Sequence, residues 1–282
     1  MWVPLIIAAP PAVYGASEHF ENVKTFFVAH PNLKLLCVLW PLSLIPFSFL
    51  YTFIKSKVEC GSISLKELNF LFNIIDHVVG KKSERFADAL EEIQNKRNKP
   101  QANEIFNKIT QPKIQIDELV SGIWQFFEGS KETIDKDTKI RVALAEMGII
   151  HIEQFLCFYP SNEGPRSSEQ SLKNDESCFS KAKKRRKMII VNDIRAEAKK
   201  EKGKKCFIVT SAEFENEDGS LICYPVVIRK TKEVPYVISI CASKKNFFKK
   251  NEKERYELIL SRFSQRIALE YCLKTIKNKA KL

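Results

Sequence analysis

The feature that most constrains this chain is an uncharged apolar run from Leu35 to Ile54, LLCVLWPLSLIPFSFLYTFI. A helix of this length spans the hydrocarbon core of a bilayer, which is ~30 Å thick. Trp40 and Tyr51 lie where aromatic residues anchor membrane helices at the interfaces, and membrane helices tolerate proline better than soluble ones do. The run therefore predicts a transmembrane segment, with a buried core helix as the alternative.

A shorter apolar stretch, Trp2 to Tyr14, contains two consecutive prolines. It is interpreted as a second short span, a re-entrant segment or an interfacial one. Little positive charge separates the two apolar stretches, whereas Lys55, Lys57 and a lysine-rich remainder follow the second. The positive-inside rule then places everything after Ile54 in the cytosol. We expect a membrane protein, of a bacterial inner membrane, with a cytoplasmic domain.

Charge and cysteine content restrict the partners and the chemistry. The 46 Lys and Arg residues exceed the 34 Asp and Glu residues, which gives a net charge of +12 and favours anionic partners. The eight cysteines form no CxxC pair and no Cys/His cluster, so we expect thiols in a reducing compartment and no metal site. Because phosphate-binding loops, zinc-protease motifs and kinase motifs are absent, the sequence predicts a non-catalytic protein.

Residues 55–114 are predicted to form a helical connector between the anchor (residues 1–54) and a domain (residues 115–282). Ser64 and Glu67 form a capping box, and apolar residues then recur at helical spacing as far as Val79. Gly80 is predicted to end this helix and Ser83 to begin another. The apolar stripe indicates a dimerising, coiled-coil-like helix or a helix that folds back on its own domain.

The domain is predicted to be α+β, with a five-stranded antiparallel sheet between helices. The first helix is expected from Ile116 to Phe127 and the last from Asn251 to Lys277. The predicted strands are Ile140–Leu144, Ile149–Tyr159, Met188–Val191, Leu221–Ile228 and Val234–Cys241.

Three of these strands carry strings that resemble one known family. Gly219–Val226 (GSLICYPV) is similar to a G-S-x-x-x-x-P-[LV] strand, and Ile190–Ile194 (IVNDI) to a (V/I)-x-D-(V/I) strand end. Tyr236–Ile240 (YVISI) resembles a G-V-L-x-I strand, with Pro235 in place of glycine. Over about residues 115–273 the chain thus resembles a GAF domain, which implies a GAF/PAS-like sheet and a pocket for a small ligand.

The resemblance implies a pocket between the sheet and the segment from Ser177 to Phe214. Its ligand is left open as a nucleotide or another small anion. The polar groups near strand ends that we expect to contact it are Tyr159, Asp193, Lys204, Lys205, Ser220 and Tyr224. Capping, turn formation or a role in the core is the alternative for each of them.

The densest basic run is KAKKRRK, which supplies Lys181, Lys183, Lys184, Arg185, Arg186 and Lys187. Three interpretations stay open: a solvated helix face, a contact with anionic lipid, and a contact with nucleic acid or phosphate.

Together these patterns predict a membrane-anchored sensor or effector, in stress or defence. Its GAF-like domain would bind a small ligand or a protein partner and signal to the membrane segment, with the connector helices forming a homo-oligomer. One alternative is a ligand-free GAF-like adaptor for dimerisation or docking. Another is a thiol redox enzyme, which requires a reactive cysteine among Cys157, Cys178 and Cys206.

Overall fold

The computed structural model describes residues 63–95, 102–131, 136–165, 167–201, 203–208 and 218–280. The predicted span from Leu35 to Ile54, with Trp40 inside it, and the stretch from Trp2 to Tyr14 lie outside these residues. Among the described helices, none is long and apolar enough to cross a membrane. The described residues belong to one compact unit.

The first described helix, α1, runs without a break from Leu65 to Asn95. It begins with the predicted capping box: the Glu67 amide donates to Ser64 Oγ at 3.2 Å, and the Ser64 amide donates to Glu67 Oε2 at 3.1 Å. The prediction that Gly80 ends the helix and Ser83 begins another was wrong. Glycine costs a helix interior only about 1 kcal/mol relative to alanine, and α1 is buried on both sides of Gly80, at Val78 and at Ala89. The packing of α1 therefore outweighs the tendency of glycine to end a helix.

Five strands form one antiparallel sheet in the order β2-β1-β5-β4-β3. Their bounds are Ile140–Met147 (β1), Ile152–Tyr159 (β2), Ile189–Val191 (β3), Ser220–Val226 (β4) and Tyr236–Ala242 (β5). The remaining helices are Ala102–Ile109 (α2), Pro112–Lys131 (α3), Glu169–Leu172 (α4), Cys178–Arg185 (α5), Ile194–Ala198 (α6) and Lys253–Ala280 (α7). This confirms the predicted α+β class with a five-stranded antiparallel sheet flanked by helices.

The sheet buries both of its faces, because alternate residues of each strand point to opposite sides. Val142, Ile222 and Ile240 share a core with the long helices α1, α3 and α7. On the opposite face, Cys223 and Val237 pack with the short helices α4 and α5. The domain therefore has three layers, with the sheet in the middle.

Helix α1 is part of this core. Its buried residues are Leu71, Ile74, Ile75, Val78 and Ala89. The side-chain amide of Gln115 on α3 donates to the Val78 carbonyl at 3.3 Å, and Arg85 forms an ion pair with Glu118 at 3.1 Å. One face of α1 thus folds back on the domain, whereas its other face stays exposed.

Candidate functional site

A cavity of about 350 Å³ lies on the sheet face that carries the short helices. Its floor comes from two neighbouring cross-strand rows. The first row consists of Arg141, Cys241 and Leu221. The second row consists of Ala143, Ser239 and Cys223, of which Ala143 and Ser239 line the cavity. Its walls come from the start of α5 and from the segment that contains Phe207 and Ile208. A concave, mainly apolar site with a few polar groups is typical of small-molecule binding.

The charged groups of the lining are of opposite sign. Arg141 is largely buried, and its Nε donates to Glu163 Oε2 at 2.6 Å. A guanidinium carries five N–H donors in a planar fork that matches a carboxylate. Asp218 contributes a carboxylate and lies 3.8 Å from the Arg195 guanidinium. The lining can therefore accommodate a small molecule that carries both charges.

Two cysteines of the lining differ in their surroundings. Cys241 is exposed and lies directly across from Arg141 in the β1–β5 register. Such opposed side chains have Cβ atoms about 4.5–5.5 Å apart, so the cation can stabilise negative charge that develops on this sulfur. Cys178, the first residue of α5, is buried and packs in the same cluster as the Cys223 thiol of β4, with which it interacts.

Backbone contacts hold Cys178 in place. Its S–H donates to the Cys206 carbonyl, and the Cys206 amide donates to Glu197 Oε1 at 2.8 Å. Burial acts to raise the pKa of Glu197, but hydrogen bonds from Lys200 and Cys206 outweigh it and lower that pKa. Glu197 is therefore an ionised anchor for the segment over the cavity.

The thiols of Cys178 and Cys157 are neutral near pH 7. The neighbouring Cys223 thiol and then burial raise the pKa of Cys178 well above its ordinary value. Burial and then the Asp117 carboxylate raise the pKa of Cys157 to about 12, but Cys157 packs on the helical face, away from the cavity. Among the described residues, no group of three or more His, Cys, Asp or Glu side chains is arranged to hold a metal ion.

Of the six residues predicted to contact a ligand, Ser220 is the one that lines the cavity. Its hydroxyl donates to the Lys244 carbonyl at 3.0 Å and accepts from the Phe248 amide at 3.1 Å. These bonds tie the end of β5 to the start of β4. Ser220 thus combines a position at the cavity with a structural role.

The other five lie elsewhere. Tyr159 is on the helical face, where its hydroxyl donates to Asp117 Oδ2 at 2.7 Å, and Tyr224 packs against the same core. Burial raises the pKa of both phenols. Asp193 caps α6 by accepting from the Ala196 amide at 2.9 Å. The two lysines form ion pairs, Lys204 with Glu201 at 2.6 Å on the surface and the less exposed Lys205 with Glu176 at 3.5 Å. Ligand binding by these five stays a prediction.

Arg141, Ser239 and Cys241 line the cavity but were not predicted from the sequence to contact a ligand. The alternation of side chains between the two faces of a strand could have indicated these residues. Ser239 and Cys241 share one face of β5, and Arg141 is a charged residue near the start of the mainly apolar β1. Polar side chains on one face of a buried strand indicate a site that needs them.

The side chains of the basic run from Lys181 to Lys187 differ in their exposure to solvent. Lys181 is buried and donates to the Lys205 carbonyl, and Lys183 donates to the Gly148 carbonyl. Burial lowers the pKa of Lys183. The run's remaining side chains are exposed, namely Lys184, Arg185, Arg186 and Lys187.

Comparison with known proteins returns similarity to solved structures only. No protein-family model and no curated protein matches the sequence. A type II free methionine-R-sulfoxide reductase from Thermoplasma acidophilum superposes with a TM-score of 0.38 at 15% identity, covering 56% of this chain and 95% of that one. The free methionine-R-sulfoxide reductase of Neisseria meningitidis gives 0.37 at 12%, covering 62% and 93%. Residues 122 to 287 of a methyl-accepting chemotaxis protein give 0.38 at 11%, covering 63% and 99%.

Similarity at this level assigns neither a family nor an activity to the chain. It does contradict the prediction of a non-catalytic protein, because the reductases among these structures are enzymes. That prediction rested on the absence of familiar catalytic motifs, and such an absence does not exclude an enzyme.

Proposed function

We propose that the described domain is a GAF-like thiol redox enzyme that reduces a small polar molecule bound in the cavity. One observation carries the proposal: Cys178 lines the cavity and packs in the same buried cluster as the Cys223 thiol, with which it interacts. Two thiols in contact can become one disulfide and so supply two electrons and two protons. The pair is arranged for a two-electron reduction next to a bound molecule.

A small sulfoxide is the substrate class that we propose. The S=O bond breaks, the oxygen leaves as water with the two thiol protons, the sulfoxide sulfur is reduced to a thioether, and Cys178 and Cys223 form a disulfide. A thiol reductant from solution then reduces that disulfide. Free methionine-R-sulfoxide, the compound named for the two reductases, is the first substrate to test.

The opposite charges of the lining support an amino-acid-like substrate. Arg141 offers a guanidinium to a carboxylate, and Asp218 offers a carboxylate to an ammonium group. The cavity volume of about 350 Å³ is at the small end of the range of roughly 300–1,000 Å³ that ligand sites occupy. We therefore expect recognition of both charged ends of a molecule of this size.

The decisive experiment follows turnover of methionine-R-sulfoxide by the full chain with dithiothreitol. Cys178→Ser and Cys223→Ser are each expected to lower turnover at least about a hundredfold, because one thiol cannot form the disulfide. Cys157→Ser and Cys272→Ser are matched controls, since Cys157 packs on the helical face and Cys272 lies on α7. Without reductant, one equivalent of substrate should consume two thiols per chain. Turnover that survives Cys178→Ser, or substrate that consumes no thiols, would contradict the proposal.

A signalling role for the same cavity is the second candidate. It is supported by the position of α1, which follows the predicted membrane segment in sequence and packs on α3, one of the helices that cover the sheet face opposite the cavity. Ligand-dependent protection of α1 amides in hydrogen exchange would support it, and unchanged exchange at saturating ligand would count against it.

A further inference from the structure

One end of the sheet brings together three segments that are distant in sequence. The turn between β1 and β2 and the loop between β4 and β5 meet there, because the Met147 amide donates to the Pro235 carbonyl at 2.8 Å. Ile189 at the start of β3 pairs with Cys223 of β4, so the residues that link α5 to β3 reach the same end. The cavity residues of β5 lie farther along that strand.

The β1–β2 turn presents two isoleucines to solvent. Ile149 is 96% exposed and Ile150 is 54% exposed. The turn that carries them is held in place: the Gly148 amide donates to the His151 carbonyl at 2.9 Å, and Lys183 donates to the Gly148 carbonyl. His151 Nδ1 lies 3.1 Å from Ser180 Oγ on α5. The isoleucines therefore project from a braced turn.

Basic residues surround this apolar turn. Arg186 ends α5 in the left-handed conformation, with φ of 52°. We define the basic tip as the exposed cations at this end together with the two isoleucines. Its members are Ile149, Ile150, Lys184, Arg185, Arg186, Lys187, Arg229, Lys230 and Lys232. Glu153 and Glu233 are the exposed acidic residues that border it, and both face Lys183.

We infer that the basic tip docks on the surface of an anionic lipid bilayer. The isoleucines enter the region between headgroups and acyl chains, while the lysines and arginines contact lipid phosphates. Each Lys or Arg close to an anionic leaflet strengthens binding about fivefold. An exposed isoleucine pair has no role against a phosphate backbone, and the tip has no aromatic side chain to stack on bases, so lipid is favoured over nucleic acid. This inference is independent of the proposed reductase activity and of the predicted span.

The first test measures insertion of the turn with the full chain and preformed vesicles. Ile149→Trp introduces a fluorophore at the tip, and Lys245→Trp introduces one beyond β5, at the opposite end of the sheet. Brominated phosphatidylglycerol vesicles should quench the added fluorescence of Ile149→Trp at least fivefold more than that of Lys245→Trp, each corrected for the parent protein. Brominated phosphatidylcholine vesicles, or 1 M salt, should abolish the difference. Equal quenching at the two positions would overturn the inference.

The second test removes the charges in the Ile149→Trp background. Replacement of Lys184, Arg185, Arg186 and Lys187 by glutamine should reduce quenching in anionic vesicles at least tenfold. The matched control replaces four exposed lysines of the opposite end, Lys244, Lys245, Lys249 and Lys250, and should leave quenching unchanged. An equal loss in both quadruple variants would show non-specific attraction of a basic protein and contradict the inference.

The third test addresses nucleic acid directly, with a labelled 20-nucleotide RNA. If the tip binds lipid, Ile149→Ser/Ile150→Ser lowers vesicle binding, and neither this variant nor the basic-tip glutamine variant alters RNA affinity. The opposite outcome is that RNA affinity falls in the glutamine variant but not in the isoleucine variant, and that vesicles do not quench Ile149→Trp. This outcome would identify a nucleic-acid surface and overturn the proposal.

Discussion

Gly80→Ala should stabilise the described unit by about 0.8–1.0 kcal/mol. Gly80 lies inside the continuous helix α1, and a Cβ at this position would meet no atom within 4 Å. Alanine then gains the full difference in helix propensity over glycine, because it causes no steric conflict. Had Gly80 ended the helix in a left-handed conformation, alanine would instead be strained and destabilising.

Gly122→Ala on α3 is the matched control, with the same chemical change in the opposite environment. A Cβ at Gly122 would lie 2.8 Å from Ile74 Cγ2 and 3.3 Å from Phe263 Cε1. Overpacking costs about 1–3 kcal/mol, which exceeds or cancels the propensity gain of about 1 kcal/mol. We expect a net change from zero to about 2 kcal/mol of destabilisation.

Thermal unfolding followed by circular dichroism at 222 nm measures both variants under one set of conditions. For a unit of this size, 1 kcal/mol corresponds to a Tm shift of about 2–4 °C. Gly80→Ala should raise Tm by that amount, and Gly122→Ala should leave it unchanged or lower it. A lower Tm for Gly80→Ala would refute the continuous helix, and an equal rise in both variants would refute the tight packing between α1, α3 and α7.

Three further predictions concern ionisation and assembly. Because the pKa of Cys178 is raised, sulfoxide reduction should accelerate nearly tenfold per pH unit from pH 7 to 9, and a flat initial-rate profile would contradict attack by this thiolate. The raised pKa of Cys157 stabilises the fold fully below the ordinary thiol value of 9.0, so the urea midpoint should fall as pH rises towards about 12, and Cys157→Val should reduce that fall. Phe72 and Phe86 lie two heptads apart on the exposed face of α1, so Phe72→Glu/Phe86→Glu should convert a dimer to monomer in light scattering, whereas Leu258→Glu on α7 should not.

The strands were predictable because their signal is local and repeated. The last strand was expected from Val234 to Cys241 and runs from Tyr236 to Ala242, since apolar residues of high β-propensity mark it along its whole length. The end of α1 was not predictable in the same way. Gly80 is a real local signal, but the contacts of α1 with α3 on both sides of it, from Val78 to Gln115 and from Arg85 to Glu118, depend on residues far away in sequence.

The candidate site was harder to predict, because its residues come together only through contacts between distant parts of the chain. Polar residues near strand ends attract attention in a sequence, yet Asp193 bonds to a neighbouring amide and Tyr159 to Asp117 on the far face. By contrast, Cys178 and Cys223 are 45 positions apart and meet only when α5 packs on β4. The pairing of the strands must be known before such residues can be predicted to lie close together.

Helix α5 connects the two proposed sites, since its two ends serve different surfaces. Cys178 at its start reaches the cavity, and Lys184 and Arg185 at its end belong to the basic tip. Seven steps of 1.5 Å along the helix separate Cys178 from Arg185 by only about 10 Å. A Cys178–Cys223 disulfide would draw the start of α5 towards β4 and so shift the cations at its other end.

We therefore expect oxidation to change lipid docking. The full chain oxidised with one equivalent of substrate should bind phosphatidylglycerol vesicles at least about threefold more weakly or more tightly than the reduced chain, and Cys223→Ser should remove this difference. If both oxidation states of the parent protein bind with one affinity while thiol titration confirms the disulfide, α5 does not couple the sites, and the cavity and the basic tip act independently.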